Sequence, residues 1–422
     1  VAESRRAWVK VEYNERDITE AVSSSVISLS YTDNSSDEAD ELQLHCHDRE
    51  NKWIGPWYPK LRVEGDDGGR ELSGEGWSFA DSTGAFGDIN YVPAPPSNAI
   101  PGTILKAKIC VENWNSEGDY FELDCGAFEI DGVDFSGPPD AVSIKSISTP
   151  LSSSMRRVEK SRAWEDTTLR QIAQDVSDGA GMELMYEVES DIQFDRVDQL
   201  QQSDMAFLQE LARRYGVSVK VTSDMVVLFE ESVYERRAVV DTFDKQEVGI
   251  RINDFSFSQD TTDSVCKAEC SYKDPKSGEL ARAEFVPDNP PATRQVALVN
   301  YRPGDLRGDN FREGIDTAEG ESGGTFETGF SPFNETAGDF DDIRADATDN
   351  MIIQARAACR EKNKKEWTCT LKLVGNVNMV SGATIQINGF GVYSGKYLIT
   401  KARHKVGNWY TTDITAHRVL GY

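Results

Sequence analysis

The sequence predicts an α+β chain that is mainly β, built as two β-barrel domains with a small α+β unit between them. Three observations carry this. Apolar and polar residues alternate at period two near both ends, the period becomes helical in the middle, and two β segments echo each other without a gap. The first barrel is expected over 1–150 with an insert near 64–102. The α+β unit follows over 151–240, and the second barrel over 241–422 with an acidic, Gly-rich insert near 300–340. At 422 residues the chain has room for roughly two to four domains.

The opening strands read from alternation over Ala7 to Tyr13, Val26 to Tyr31 and Glu41 to Asp48. Gly, Pro and Ser enrichment from Glu64 to Gly102 marks a long loop or insertion. Strand character returns over Thr103 to Trp114, Tyr120 to Gly137 and Ala141 to Ser148, with Pro138-Pro139 as a break. Leu169, Ile172, Ala173 and Val176 then recur at helical spacing. Thr167 or Thr168 can cap that helix, and Gly179 and Gly181 end it. A second helix starts at Ser203, shows Phe207, Leu208, Leu211, Ala212 and Tyr215 on one face, and ends at Gly216. Val217 to Glu230 reads as a hairpin around Ser223-Asp224. Strands resume at Ile250 to Ser258 and Val265 to Asp274, a helix is expected over Asp341 to Lys365, and four short strands from Trp367 to His417 close the pattern.

The echo lays Leu29–Asp48 on Phe255–Asp274 at a constant offset of 226. Ser30/Ser256, Asp37/Asp263 and Asp48/Asp274 are identical, and Leu29/Phe255 and Tyr31/Phe257 are alike. Duplication of one β domain is the architectural reading.

Charge excludes a function class. With 45 Lys and Arg against 72 Asp and Glu, the net charge is -27. Such a surface repels phosphate backbones, so tight nucleic-acid binding is not expected. Apolar runs are too short for a spanning helix, no membrane insertion is expected, and the opening residues show no apolar secretory core. The odd count of 7 cysteines, without a CxxC, reads as free, buried thiols. Cys266 and Cys270 share a strand face as packing residues. His45 and His47 fall on one strand face and Cys46 on the other, so they cannot close one metal site.

Neither GxSxG, GxxxxGK[ST], HExxH nor GxGxxG occurs. No catalytic, cofactor-binding or metal-binding residue is therefore assigned, no cofactor is expected, and the chain is read as a non-enzyme. His404 and His417 are expected to be surface or satisfied residues. Asp33, Asp37 and Asp40, and the run Asp339, Asp341, Asp342 and Asp346, read as solvated acidic surface.

Three blocks in order resemble the phage late control gene D protein family, the tail hubs of contractile-tailed phages and related injection machines. SRAWEDTTLRQIAQDVSDGAGMELMYE with QSDMAFLQELARRYGVSVKVTSDMVVLFE is similar to the family's middle. The segment from AACREKNKKEWTCTLKLVG to TTDITAHR is similar to its close, and RRAWVKVEYNERDIT to IGPWYP is similar to its start. The resemblance implies tail-tube-like barrels in a homotrimer that adapts the sixfold tail tube to a threefold central spike. It further implies contact with the tape-measure protein and baseplate wedge components, genome passing as transient cargo, and a place in the virion baseplate after assembly in the host cytoplasm. Acidity then suggests an acidic or neutral lumen. Two other readings are a tail-associated peptidoglycan hydrolase and a carbohydrate-binding β protein using Trp53, Trp57 and Trp77.

Overall fold

The computed structural model describes residues 4–13, 16–23, 25–36, 38–48, 104–148, 154–189, 191–222, 224–273, 280–301 and 341–422. The first group of elements is β1 (Arg6–Tyr13), β2 (Arg16–Asp17), α1 (Thr19–Ser23), β3 (Val26–Asn34), β4 (Glu41–His47), β5 (Ile104–Glu112), β6 (Tyr120–Ser136) and β7 (Ala141–Ile147). Alternation works as expected here. Leu42, Leu44 and Cys46 of β4 are buried while Gln43, His45 and His47 lie on the opposite face. Leu29, Leu44, Leu105, Ile109, Phe128 and Ile144 lie at the centre of one core.

The middle unit holds α2 (Ser154–Arg157), β8 (Glu159–Thr168), α3 (Leu169–Ala180), β9 (Glu183–Glu187), β10 (Gln193–Ser203), α4 (Asp204–Arg214), β11 (Val217–Val221), β12 (Met225–Glu230) and α5 (Glu231–Glu235). Thr168, rather than Thr167, caps α3, through a reciprocal box with Gln171, and Gly181 ends it in the left-handed region at φ 69°. Ser203 caps α4 as expected. The apolar faces of both helices share a core with β11 and β12. The β8–β10 pair escaped the sequence reading, because its alternation is carried by polar side chains such as Gln199, Gln202 and Lys160.

The last group is β13 (Asp241–Asp244), β14 (Ile252–Gln259), β15 (Lys267–Lys273), β16 (Leu280–Phe285), β17 (Val296–Asn300), α6 (Asp341–Asn363), β18 (Trp367–Val374), β19 (Thr384–Asn388), β20 (Gly395–Val406) and β21 (Tyr410–Arg418). Strands β16-β15-β17 form their own sheet, and α6 shares a separate core with it through Met351, Ala355 and Cys359. The remaining strands surround Phe243, Leu371, Ile387, Tyr397 and Ile414. No described helix is long and apolar enough to cross a membrane.

Both β groups join in a single 13-stranded sheet. Its first half runs β1-β5-β6-β7-β4-β3 and its second β13-β19-β20-β21-β18-β14. Numbered within each half, the two orders are the same. Register agrees as well. Leu29 faces Leu44, Leu44 faces Ile144 and Ile144 faces Val133. Phe255 faces Leu371, Leu371 faces Ile414 and Ile414 faces Ala402. A bulge falls at the same step, between Ile130 and Gly132 in β6 and between Ile399 and Lys401 in β20. One pairing differs in sense: β1 runs antiparallel to β5, whereas β13 runs parallel to β19.

One expectation stands in part and one needs correction. The chain is mainly β as expected, and among the described residues the strand pairings run as one open path, with no closed barrel among them. The echo holds only for its first half. Leu29 does match Phe255 at offset 226, but the counterpart of Leu44 is Leu371, not Cys270. The β15–β17 and α6 unit is inserted into the hairpin after β14, and an alignment without gaps cannot cross an insertion.

Within the second half, Gly375 packs directly on Tyr410: a Cβ there would lie 2.1 Å from the Tyr410 ring. The Trp114 indole donates to the Gly375 carbonyl at 2.5 Å and packs against Tyr410, tying the first half to the second.

Leu44 and Leu371 are both fully buried. We expect Leu44→Ala and Leu371→Ala each to cost about 2–5 kcal/mol, the usual range for a buried Leu. Thermal unfolding reads this directly, and a near-neutral result at either position contradicts the matched registers.

Candidate functional site

The chemistry of this chain lies in its strand edges and in one buried junction. β20 has two neighbours on one side in succession: β19 along Gly395–Leu398, then β3 along Lys401–Val406. Its other side is taken by β21. The pairing of β20 with β3 joins the two halves, through partners such as Arg403 with Thr32 and His404 with Tyr31.

The repeat of that pairing is unfilled. In β6, the residues up to Glu129 pair with β5 and those from Glu129 onward pair with β7. Beyond the bulge, Gly132–Ser136 has no partner on the side that β5 has vacated, among the described residues. Among the described residues β14, the counterpart of β3, pairs with β18 alone. Both edges carry apolar side chains in solvent: Phe135 is 46% exposed and Phe255 is 39% exposed. An unpaired backbone edge is a template for another strand.

The junction corrects the reading of Asp33 and Asp40 as solvated. Both are buried. Lys220 reaches from β11 to Asp33 at 2.6 Å and Asp40 at 3.0 Å. Asp33 also accepts from the Ser381 backbone at 2.7 Å and from its hydroxyl. One ammonium and one carboxylate thus tie the middle unit to both halves of the sheet. Burial works against the charge on Lys220, but the carboxylates of Asp33 and Asp40 outweigh it and hold its pKa above the usual value. Burial pushes Asp40 up to about 6; Lys220 opposes the rise and Asp33 adds to it.

His404 is buried, not superficial, and satisfied. Nε2 lies 2.8 Å from the Met379 carbonyl and Nδ1 2.9 Å from the Tyr410 hydroxyl. Burial pushes its pKa down to about 4, so it stays neutral. His417 is also buried, 3.6 Å from Glu235. Glu235 bonds Arg360 at 2.7 Å, which links α5 to α6. The 7 cysteines are unpaired. Six are buried, and Cys266, next to β15, is half-buried. Burial pushes Cys46, Cys270 and Cys369 up to about 12, which keeps them protonated. No cluster with metal-ligand character occurs among the described residues. Asp37, Asp339, Trp53, Trp57 and Trp77 lie outside the described residues, as do the side chains of Asp341, Asp342 and Asp346.

The sequence signature of the phage tail baseplate hub (GPD) matches residues 147–409. The chain belongs to the phage tail baseplate hub family. This hub chain is 26% identical over 208 residues to the probable baseplate hub protein of Escherichia phage P2, covering 49% of this chain and 41% of that relative. It therefore spans less than half the relative's length. The fold is similar to the 43 kDa tail protein of prophage MuSo2 from Shewanella oneidensis, with TM-score 0.57, 9% identity and 99% of each chain covered. It is also similar to a tail protein of Neisseria meningitidis MC58, with TM-score 0.58, 8% identity and 98% of each chain covered.

The junction makes a pH prediction. The folded pKa of Asp40 lies above the unfolded value of about 4, so the folded state holds the extra proton between roughly pH 4 and pH 6. This group's contribution is complete below that window and is lost as pH rises through about 6. The stability of the wild type relative to Asp40→Asn should therefore fall from pH 4 to pH 6 and level off above. Melting temperatures of both proteins across this range test it. A flat difference would rule out a raised Asp40.

Proposed function

We propose that this hub protein forms a homotrimeric ring in which β6 of one copy pairs with β14 of the next. The carrying observation is the filled edge between β20 and β3 beside its unfilled repeat between β6 and β14. The two free edges lie on opposite ends of the eight-stranded run from β14 to β6, so copies join head to tail. Such contacts build a ring when the rotation closes. Each chain then offers two similar units, one over 1–150 and one over 241–422. Three chains offer six surfaces to a sixfold tail tube while keeping threefold symmetry for a central spike. Successive units are related by a turn of roughly sixty degrees, the sixth part of a circle. Each unit is a tube-like barrel in this reading, with the neighbouring unit's strand covering its open edge.

The middle unit of residues 151–240, held by Lys220, sits beside the ring and faces the spike or surrounding baseplate. Tape-measure protein, tube protein and wedge components are the other partners, and the genome passes through the ring. The chain works as a structural part of a contractile tail, in the virion baseplate, after assembly in the host cytoplasm. No enzymatic step is assigned. Family membership, the repeated strand order and the similarity in fold to tail proteins support this reading.

The pairing specifies residues. Shifting Arg403–Thr32 to its repeat places Asp134 opposite Ser258 of the neighbouring copy. The double variant Asp134→Cys with Ser258→Cys should give covalent dimers and trimers on a non-reducing gel, while each single variant stays monomeric on that gel. Light scattering of the unmodified protein should report a trimer, alone or with tube or spike protein. A strict dimer or tetramer, or a trimer that the paired cysteines never cross-link, would contradict the proposal.

A further inference from the structure

The outward face of the run β14-β18-β21-β20-β3-β4-β7-β6 is unlike the chain as a whole. Residues facing away from the core are rich in hydroxyls, among them Ser256 and Ser258 on β14 and Thr368 and Thr370 on β18. Its charges stand in a row. Asp254 faces Lys372, Lys372 faces Asp413 and Asp413 faces Arg403, one residue from each of four adjacent strands with alternating sign.

The row is held by direct contacts. Asp254 and Lys372 form an ion pair at 2.9 Å, with both side chains more than half exposed. Asp254 raises the pKa of Lys372 most, and Asp413 adds to it from the other side. Arg403 donates to the Ser30 hydroxyl at 2.9 Å. The same face repeats the device in the first half, where Lys145 pairs with Asp134 at 2.5 Å beside Asp131. On β20, Lys401 lies 3.3 Å from Glu38. Lys405 and Glu41 complete the set. Five cations thus meet these six carboxylates, with Glu129 buried on the same face, in a chain whose net charge is -27. Exposed pairs of this kind add little stability, so folding does not explain the arrangement.

We infer that this face is an electrically balanced wall for a passing phosphate polyanion, its lysines and arginines masked by carboxylates on neighbouring strands. The inference rests on the ring reading, in which the exposed part of this face lines the channel. A strongly acidic wall would oppose entry of double-stranded DNA, and exposed cations would hold its phosphates by releasing counterions. Alternating charges cancel within the screening length of about 8–10 Å, so the polymer meets a nearly neutral surface. Of the two expectations from composition, acidic or neutral, this face fits the neutral one. The excess acidity of the chain lies elsewhere.

The test unmasks the cations. Asp254→Asn with Asp413→Asn leaves Lys372 and Arg403 without their carboxylate neighbours, in side chains of unchanged shape. A labelled double-stranded DNA fragment is titrated with the trimer at low salt and followed by fluorescence anisotropy. Wild-type trimer should leave the DNA free. The double variant, still trimeric by light scattering, should bind about tenfold tighter or more, with an affinity that falls as salt rises. Asp134→Asn alone, which unmasks Lys145, should give a smaller gain in the same direction. Glu122→Gln with Asp124→Asn removes the partners of Lys10 and Lys108 on the stretch of β6 that pairs with β5, away from the row and from Lys145, and should change nothing. A trimeric double variant as indifferent to DNA as wild type overturns the inference, as does an equal gain in the Glu122 and Asp124 variant. A wild-type chain that never trimerises overturns the ring reading itself, and this inference with it.

Discussion

The pairing of β20 with β3 is the constraint on which the rest depends. Six residues of β20, Lys401–Val406, lie along Leu29–Asn34 and turn two β units into one sheet. The bulge after Ile399 makes this possible, because β20 there ends its pairing with β19 and presents a fresh edge. The bulge after Ile130 sets up the same offer in β6, with no strand of the described chain to accept it. A repeated unit that has solved its edge problem once inside the chain carries the same solution, unused, at its other end.

Rigid placement of the middle unit depends on a different interaction. Lys220 sits between two buried carboxylates, and Asp33 also holds Ser381 of the second half. Removing the ammonium would leave Asp33 and Asp40 buried without their shared cation, which costs far more than the loss of an exposed pair. Trp114 and Gly375 add a neutral tie between the halves. The balanced outer face shows a third use of charge, in which pairing serves surface potential more than stability.

Much of this was legible in the sequence, for reasons visible in particular residues. Leu42, Leu44 and Cys46 alternate cleanly, and Ser203 and Gly181 are strong helix boundaries, so those elements could be placed. The match of Leu29 to Phe255 was visible because both strands keep apolar, hydroxyl, apolar order. Its continuation was not, since the inserted unit moves the partner of β14 past α6 to β18. Asp33 and Asp40 looked like loop acids because their cation lies far along the chain at Lys220. β8 and β10 were hidden because much of their surface is exposed and polar. Free edges such as β6 beyond Ile130 carry no signature in one dimension, since their meaning comes only from what fails to pair with them.

Hydrogen exchange across oligomerisation tests the central claim most directly. The backbone amides of Gly132–Ser136 and Phe255–Gln259 that point to the free edge, away from β7 and β18, should exchange quickly in the isolated chain and become protected together on assembly, while Lys401–Val406 is protected in both states. Assembly that leaves either β6 or β14 unprotected would contradict the ring of paired edges.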